Sequence, residues 1–245
     1  MKNSSWLLVG GIVLAALVII ADAVFVEHRV NSASLPPQKT IDVPYTTQAP
    51  TGDWSGIWEN ACEETSIYMV SSFYQNDPIK RDAAVKRIRQ IFQVKNKDFK
   101  VSADESLEEI AALIPKLGMP WTTELVVDPT IDDLKQEVAE NHPVIVPVYA
   151  PALWSKTFKG DGPDYHVMVL VGYDDKTKEF IVNDPGTSNG NKKRFPYIQF
   201  MNAIHDLDSK NYKAGKKAVL FTDQSVWGGW SPTVTTTVPS VKSFK

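Results

Sequence analysis

The stretch Trp58-Glu59-Asn60-Ala61-Cys62-Glu63-Glu64-Thr65-Ser66-Ile67-Tyr68-Met69-Val70 holds the one cysteine of 245 residues. Ile67, Val70 and Tyr74 recur at helical spacing, and Asn60 is a residue type whose side-chain oxygen caps a helix N-terminus. The pattern predicts a helix with Cys62 in its first turn. Unpaired backbone N–H groups and the positive end of the helix dipole favour an anion there, and a thiolate qualifies. Glu63 and Glu64 suit the same dipole but oppose a further negative charge. An activated thiol therefore calls for a basic partner. Taken alone, a single cysteine is a small buried hydrophobe.

The basic partner is His166. It opens the apolar run Val167–Val171, which reads as a strand buried on both faces. A turn around residues 174–178 and a return strand, Phe180-Ile181-Val182-Asn183, bring Asp184 back to the end where His166 began. Equal path lengths at ~3.3 Å per residue put the two side by side. A carboxylate beside a histidine fixes its tautomer and stabilises its charged form. A histidine so held accepts a thiol proton. Singly, His166 reads as a core or capping residue and Asp184-Pro185-Gly186 as a turn. The pairing across a hairpin is more specific than either. Asn183 is the alternative orienter, but strand alternation points it to the opposite face. Gln48, in the loop ahead of the cysteine helix, carries an amide that can donate to a developing oxyanion, as can the Cys62 N–H.

These residues carry a family resemblance. Val43-Pro44-Tyr45-x-x-Gln48, Trp54, Ala61-Cys62-Glu63-Glu64, Tyr165-His166-Val167 and Asn183-Asp184-Pro185-Gly186, in that order, resemble the C39-like peptidases. These are similar to the bacteriocin leader peptidases among papain-like cysteine peptidases. The resemblance covers about Ile41 to Asp223. It implies a papain-like fold, Cys62 as nucleophile, His166 as general base and acid, Asp184 as orienter of His166, and Gln48 as oxyanion donor. It also implies a peptide or protein substrate and no cofactor. The chain departs from better-known leader peptidases in two places. The Gln48–Cys62 gap is 62 − 48 = 14 residues, longer than theirs, and Glu63 stands where they have glycine. The same chemistry would suit a cell-wall peptide amidase, and the scaffold without activity would make a binding module. A metal on Cys62, His166 and Asp184 lacks a fourth ligand at a usual spacing.

The elements that must position these groups follow from periodicity and punctuation. Ile41–Tyr45 reads as a short edge strand. Helices are expected from the cysteine to Tyr74, over Pro78–Val94, from a Ser102-x-x-Glu105 capping box to Gly118, from Thr130-x-x-Asp133 to about Asn141, and over Pro196–Leu207. Strands are expected at Thr122–Val127, His142–Tyr149, His166–Tyr173, Glu179–Asn183 and Lys217–Thr222. Helices first and a mostly antiparallel sheet after them make an α+β domain. Lys80, Arg81, Lys86, Arg87 and Arg89 form a basic face, read as solvated surface. Trp54, Trp58, Trp121 and Trp154 line a groove or cover the core edge.

A formal net charge of -3 points to neither nucleic acid nor a strongly acidic substrate. One cysteine excludes an internal disulfide framework. Ahead of the domain, Lys2 precedes an apolar run from Trp6 that reaches Val26 with Asp22 as its one charge. Residues 1–30 read as one hydrophobic helix, either an uncleaved membrane anchor through residues 6–26 or a signal segment ending at Ala21-Asp22-Ala23. Both put the domain outside the cytoplasm, tethered by a single pass or secreted. Residues 31–40 read as a linker, 41–223 as the peptidase-like domain and 224–245 as a disordered tail.

Overall fold

The structure is a computed structural model that describes residues 34–99, 104–153, 163–208 and 210–224. Residues 34–37 fall in a separate N-terminal unit, and the unit from Gln38 onward carries the sheet and its helices.

The sheet is built on β4 (Tyr165–Asp174), buried at every residue through Tyr173. An uninterrupted apolar run requires that cover on both faces. β3 (Val144–Tyr149) pairs with its first half, Tyr149 opposite Tyr165 and Val144 opposite Leu170. β5 (Glu179–Asn183) pairs with its second half on the other side, from Asn183 opposite Val169 to Glu179 opposite Asp174, with a bulge between Leu170 and Gly172. β1 (Gln38–Thr40) extends the β3 side, with Thr40 opposite Gly172. With β2 (Thr122–Val127), β6 (Lys193–Pro196) and β7 (Ala218–Asp223), the order is β2-β7-β3-β4-β5-β6, all antiparallel.

The innermost helix is α1 (Cys62–Tyr74), buried from Cys62 through Ser72. It packs between β4 and α2 (Arg81–Phe99). Ile67, Met69 and Val70 of α1, Ile88 and Ile91 of α2, and Val169, Val171 and Phe180 of the sheet form one core. Each such side chain contributes ~1.5–3 kcal/mol on burial. α3 (Leu107–Lys116) and α4 (Ile131–Ala139) each start on a reciprocal capping box, Ser106 with Glu109 and Thr130 with Asp133. α5 (Ala150–Leu153) follows β3, and α6 (Tyr197–Ala203) follows β6.

The α+β expectation holds, with local corrections. Asn60 does not cap α1. It ends a 3-10 turn, Gly56–Asn60, that runs straight into the helix, and Ala61 takes the cap position without a side-chain bond. The Ser102–Glu105 box is not used: α3 starts four residues later, and Glu105 is turned inward. The strand expected at Ile41–Tyr45 is instead β1 at Gln38–Thr40, inside the expected linker. Pro44 has no N–H for a ladder, while Ile41 and Val43 still enter the core. β6 escapes sequence reading because Lys-Arg-Phe-Pro offers one inward apolar residue, Phe195. The helix expected over Pro196–Leu207 stops at Ala203. Among the described residues no helix is long and apolar enough to cross a membrane. The hydrophobic segment at residues 6–26, and the expected tail beyond Gln224, lie outside the described residues.

Candidate active site

The site forms where β5 ends. Asn183 pairs with Val169, so the next ladder partner of Val167 would be residue 185. That residue is a proline in a turn, and the chain leaves the sheet. The open edge of β4 is taken by the first turn of α1. The Val167 N–H favours the anionic form of the Cys62 sulfur, and Ser66 Oγ donates to the Val167 carbonyl at 3.3 Å. Cys62 and Ser66, four apart, share a helix stripe. The sulfur therefore lies against the backbone of the residue after His166.

His166 and Asp184 meet as their spacing predicts. Extending the β5 register puts Asp184 across from Met168, one diagonal step from His166 on the same face. The His166 Nε2–H donates to Asp184 Oδ1 at 2.7 Å, with both residues buried. The carboxylate also accepts the Gly186 N–H on Oδ1 and Lys193 Nζ on Oδ2, each at 3.0 Å. Burial opposes its ionisation, but His166 and then Lys193 outweigh burial and hold it down at about 2. Asn183 is turned away: its amide donates to the Val43 carbonyl, and its oxygen accepts the Lys192 N–H.

Cys62 departs from expectation. Instead of being lowered by the helix terminus, its pKa is raised well above the ordinary value. Burial is the main cause, and Glu63 adds charge and a hydrogen bond, against the opposing Val167 N–H. The thiol donates to Glu63 Oε2 at 3.0 Å, and the residue is 5% exposed.

Gln48 reaches the same region because its loop is stitched to the Asp184–Gly190 turn. The Gln48 N–H and Thr47 Oγ1 both donate to the Pro185 carbonyl, at 2.9 and 3.1 Å. Tyr45 OH contacts the carbonyls of Asp184 and Thr187 and accepts the Gly190 N–H. The Gln48 amide is engaged, however. Nε2 donates to the Trp58 and Glu59 carbonyls at 2.9 and 3.0 Å, while Oε1 is buried without a hydrogen-bond partner among the described residues. Exchanging the amide's oxygen and nitrogen would set oxygen against two carbonyls, so this orientation stands.

Sequence reasoning missed Lys193 and also Asp104, a carboxylate that senses both His166 and Lys95. Of the tryptophans, Trp58 and Trp121 are buried, Trp54 is exposed, and Trp154 lies outside the described residues. Two open hollows, of about 260 and 240 Å³, the first lined by residues such as His142 and the second by the later turns of α1 with residues such as Arg87, include neither Cys62 nor His166.

Residues 40–217 match the sequence profile of the Peptidase_C39 like family. Two solved structures are similar. A Bacillus anthracis protein classed as a C39-like peptidase shares 16% identity over 77% of this chain and 98% of its own, with a TM-score of 0.50. Xylellain, a cysteine protease from Xylella fastidiosa, shares 14% identity over 77% of this chain and 87% of its own, with a TM-score of 0.47. No curated protein matches the sequence.

Proposed function

Because the chain belongs to the C39-like peptidase family, we propose that it is a thiol-dependent peptidase hydrolysing peptide amide bonds. The observation that carries this reading is the 2.7 Å His166–Asp184 hydrogen bond, one residue from the Val167 N–H that favours a Cys62 thiolate. Asp184 engages Nε2, which leaves Nδ1 as the nitrogen to exchange a proton with the thiol. His166 takes the Cys62 proton and the sulfur attacks the substrate carbonyl. The Cys62 N–H and a Gln48 N–H released from its loop carbonyls stabilise the oxyanion. His166 then protonates the leaving amine, and water completes hydrolysis. Peptides and the stem peptides of cell wall both offer such a bond.

The test is mass spectrometry of products from a peptide library and from purified peptidoglycan, comparing wild type with Cys62→Ala and His166→Ala. Cleavage that disappears in both variants supports the peptidase, and the substrate that is cut separates peptidase from wall amidase. The low exposure of Cys62 favours a second reading, a silent binding module. Slow thiol labelling, equal in wild type and His166→Ala, would identify that module. The apolar run at residues 6–26 further leads us to infer that the domain works outside the cytoplasm. Added protease should degrade it in intact cells; protection until lysis would reject that location.

A further inference from the structure

Three fully or nearly buried carboxylates, Glu63, Glu64 and Glu105, gather next to the Cys62 sulfur with one buried ammonium, Lys95. Lys95 Nζ lies 2.7 Å from Glu64 Oε1 and 2.5 Å from Glu105 Oε1. Three carboxylates around one cation in a low-dielectric interior cannot all ionise. Lys95 closes on Glu64 and Glu105, while Glu63 faces the sulfur, where burial keeps its proton on it. Its Oε1 already accepts the Glu105 N–H at 3.2 Å. The hydroxyl therefore belongs on Oε2, which faces the sulfur at 3.0 Å.

Building on the peptidase reading, we propose that Glu63 is a further catalytic residue: it stays a neutral acid, donates a hydrogen bond from Oε2 to the Cys62 thiolate, and switches the nucleophile off when it ionises. At rest the thiol hydrogen points at Oε2. When His166 takes that proton the hydrogen bond reverses. Glu63 keeps its own proton and the total proton count is unchanged. The thiolate then has two donors, the Glu63 hydroxyl and the Val167 N–H. An ionised Glu63 would instead set a like charge at contact distance.

The surroundings agree. Burial and then Glu64 push Glu63 up to about 8, against the pull of Lys95. The other groups that act on it are Cys62 on its own helix, Asp104 and Glu105 on the segment before α3, and Tyr165 on β4, with His166 beside them. Burial holds Tyr165 neutral, and burial with the neighbouring acids raises Glu105 to about 9. Below about pH 8 the neutral acid is present; above it the carboxylate is.

The test is the rate of Cys62 alkylation by iodoacetamide from about pH 5.5 to 10, with peptide turnover measured in parallel, in wild type and Glu63→Gln. The glutamine amide still donates but cannot ionise. In wild type the rise of alkylation with pH should flatten as pH passes about 8, leaving the rate roughly tenfold below that of Glu63→Gln above it, since each pKa unit imposed on the thiol is tenfold in thiolate. Glu63→Gln should climb without that break. An unbroken climb in wild type, or the same break in both proteins, overturns the proposal. If Cys62-dependent turnover persists in those cases, the peptidase reading survives them. Turnover in Cys62→Ala would remove both. Should Glu63→Gln not fold, the wild-type profile decides alone.

Discussion

At Asp184 two forces oppose each other, and the pH dependence tells which wins. Burial favours the neutral acid, while His166 and Lys193 favour the anion and bring the carboxyl from 3.8 to about 2. A depressed folded pKa contributes stability above the unfolded value and loses it as pH falls through the folded one. The shift corresponds to ~2 kcal/mol. Asp184→Asn should thus cost about 2 kcal/mol near pH 7 and much less near pH 2, measured by urea unfolding; an equal cost at both would refute the charge argument. Gln48 makes a separate case. Gln48→Ala leaves the buried Trp58 carbonyl, and the more exposed Glu59 carbonyl, without their donor, so Tm should fall with a loss of ~1–3 kcal/mol, beside a roughly hundredfold loss of kcat. Loss of turnover at unchanged Tm would make the amide an oxyanion donor alone. Cys62, His166, Asp184 and Gln48 could be picked out as candidates because their types and order suit one chemistry. Lys193 was not, standing in Lys192-Lys193-Arg194 with like neighbours. Only the structure shows Lys192 on exposed Asp42, Arg194 on Asp174 and Glu179, and Lys193 on the buried carboxylate.

The turn from Asp184 to Gly190 sets the ring and the carboxylate together, and its glycines make the second case testable. A Cβ on Gly186 would sit 2.7 Å from His166 Cε1 and 2.9 Å from Nε2. Gly186→Ala must move the imidazole off Asp184, and misplacement near 1 Å costs up to ~100-fold. We expect kcat/KM to fall roughly 10- to 100-fold, a range set by that misplacement, while the unfolding midpoint changes little. Gly190→Ala is the contrast: its Cβ would overlap the Asp184 carbonyl at 1.7 Å, so it should fail to fold. Retained activity in Gly186→Ala would show that the ring has room to move. At this scale, strong periodicity was readable: α1, α4, β2 and β5 lie where spacing puts them. What was unreadable depends on pairing. β1 and β6 are three and four residues long and exist because β4 and β5 offer edges. Glu105, which fits a capping box by sequence, is recruited by Lys95 from α2.

Across the molecule, the buried acids at the back of the site should leave a signature in global stability. Glu63 and Glu105 have folded pKa values of about 8 and about 9, raised from 4.5 first by burial and then by their acidic neighbours. For a raised acid the stabilising contribution is complete below the unfolded value and is lost as pH climbs through the folded one. Between about pH 5 and pH 8 each group that stays protonated only in the fold removes ~1.4 kcal/mol per pH unit. Asp184 acts in the opposite sense but only below about pH 4. Maximum stability should therefore lie on the acid side of neutrality, with Tm falling steadily from about pH 5 to 9. Glu105→Gln, which cannot ionise and keeps an acceptor for Lys95, should flatten that slope. Lys95→Met should destabilise by ~3–5 kcal/mol, because it leaves buried acids without their cation. A wild-type Tm that is flat or rising over that range would mean that Glu63 is already ionised in the fold, and it would leave the thiol next to a permanent negative charge.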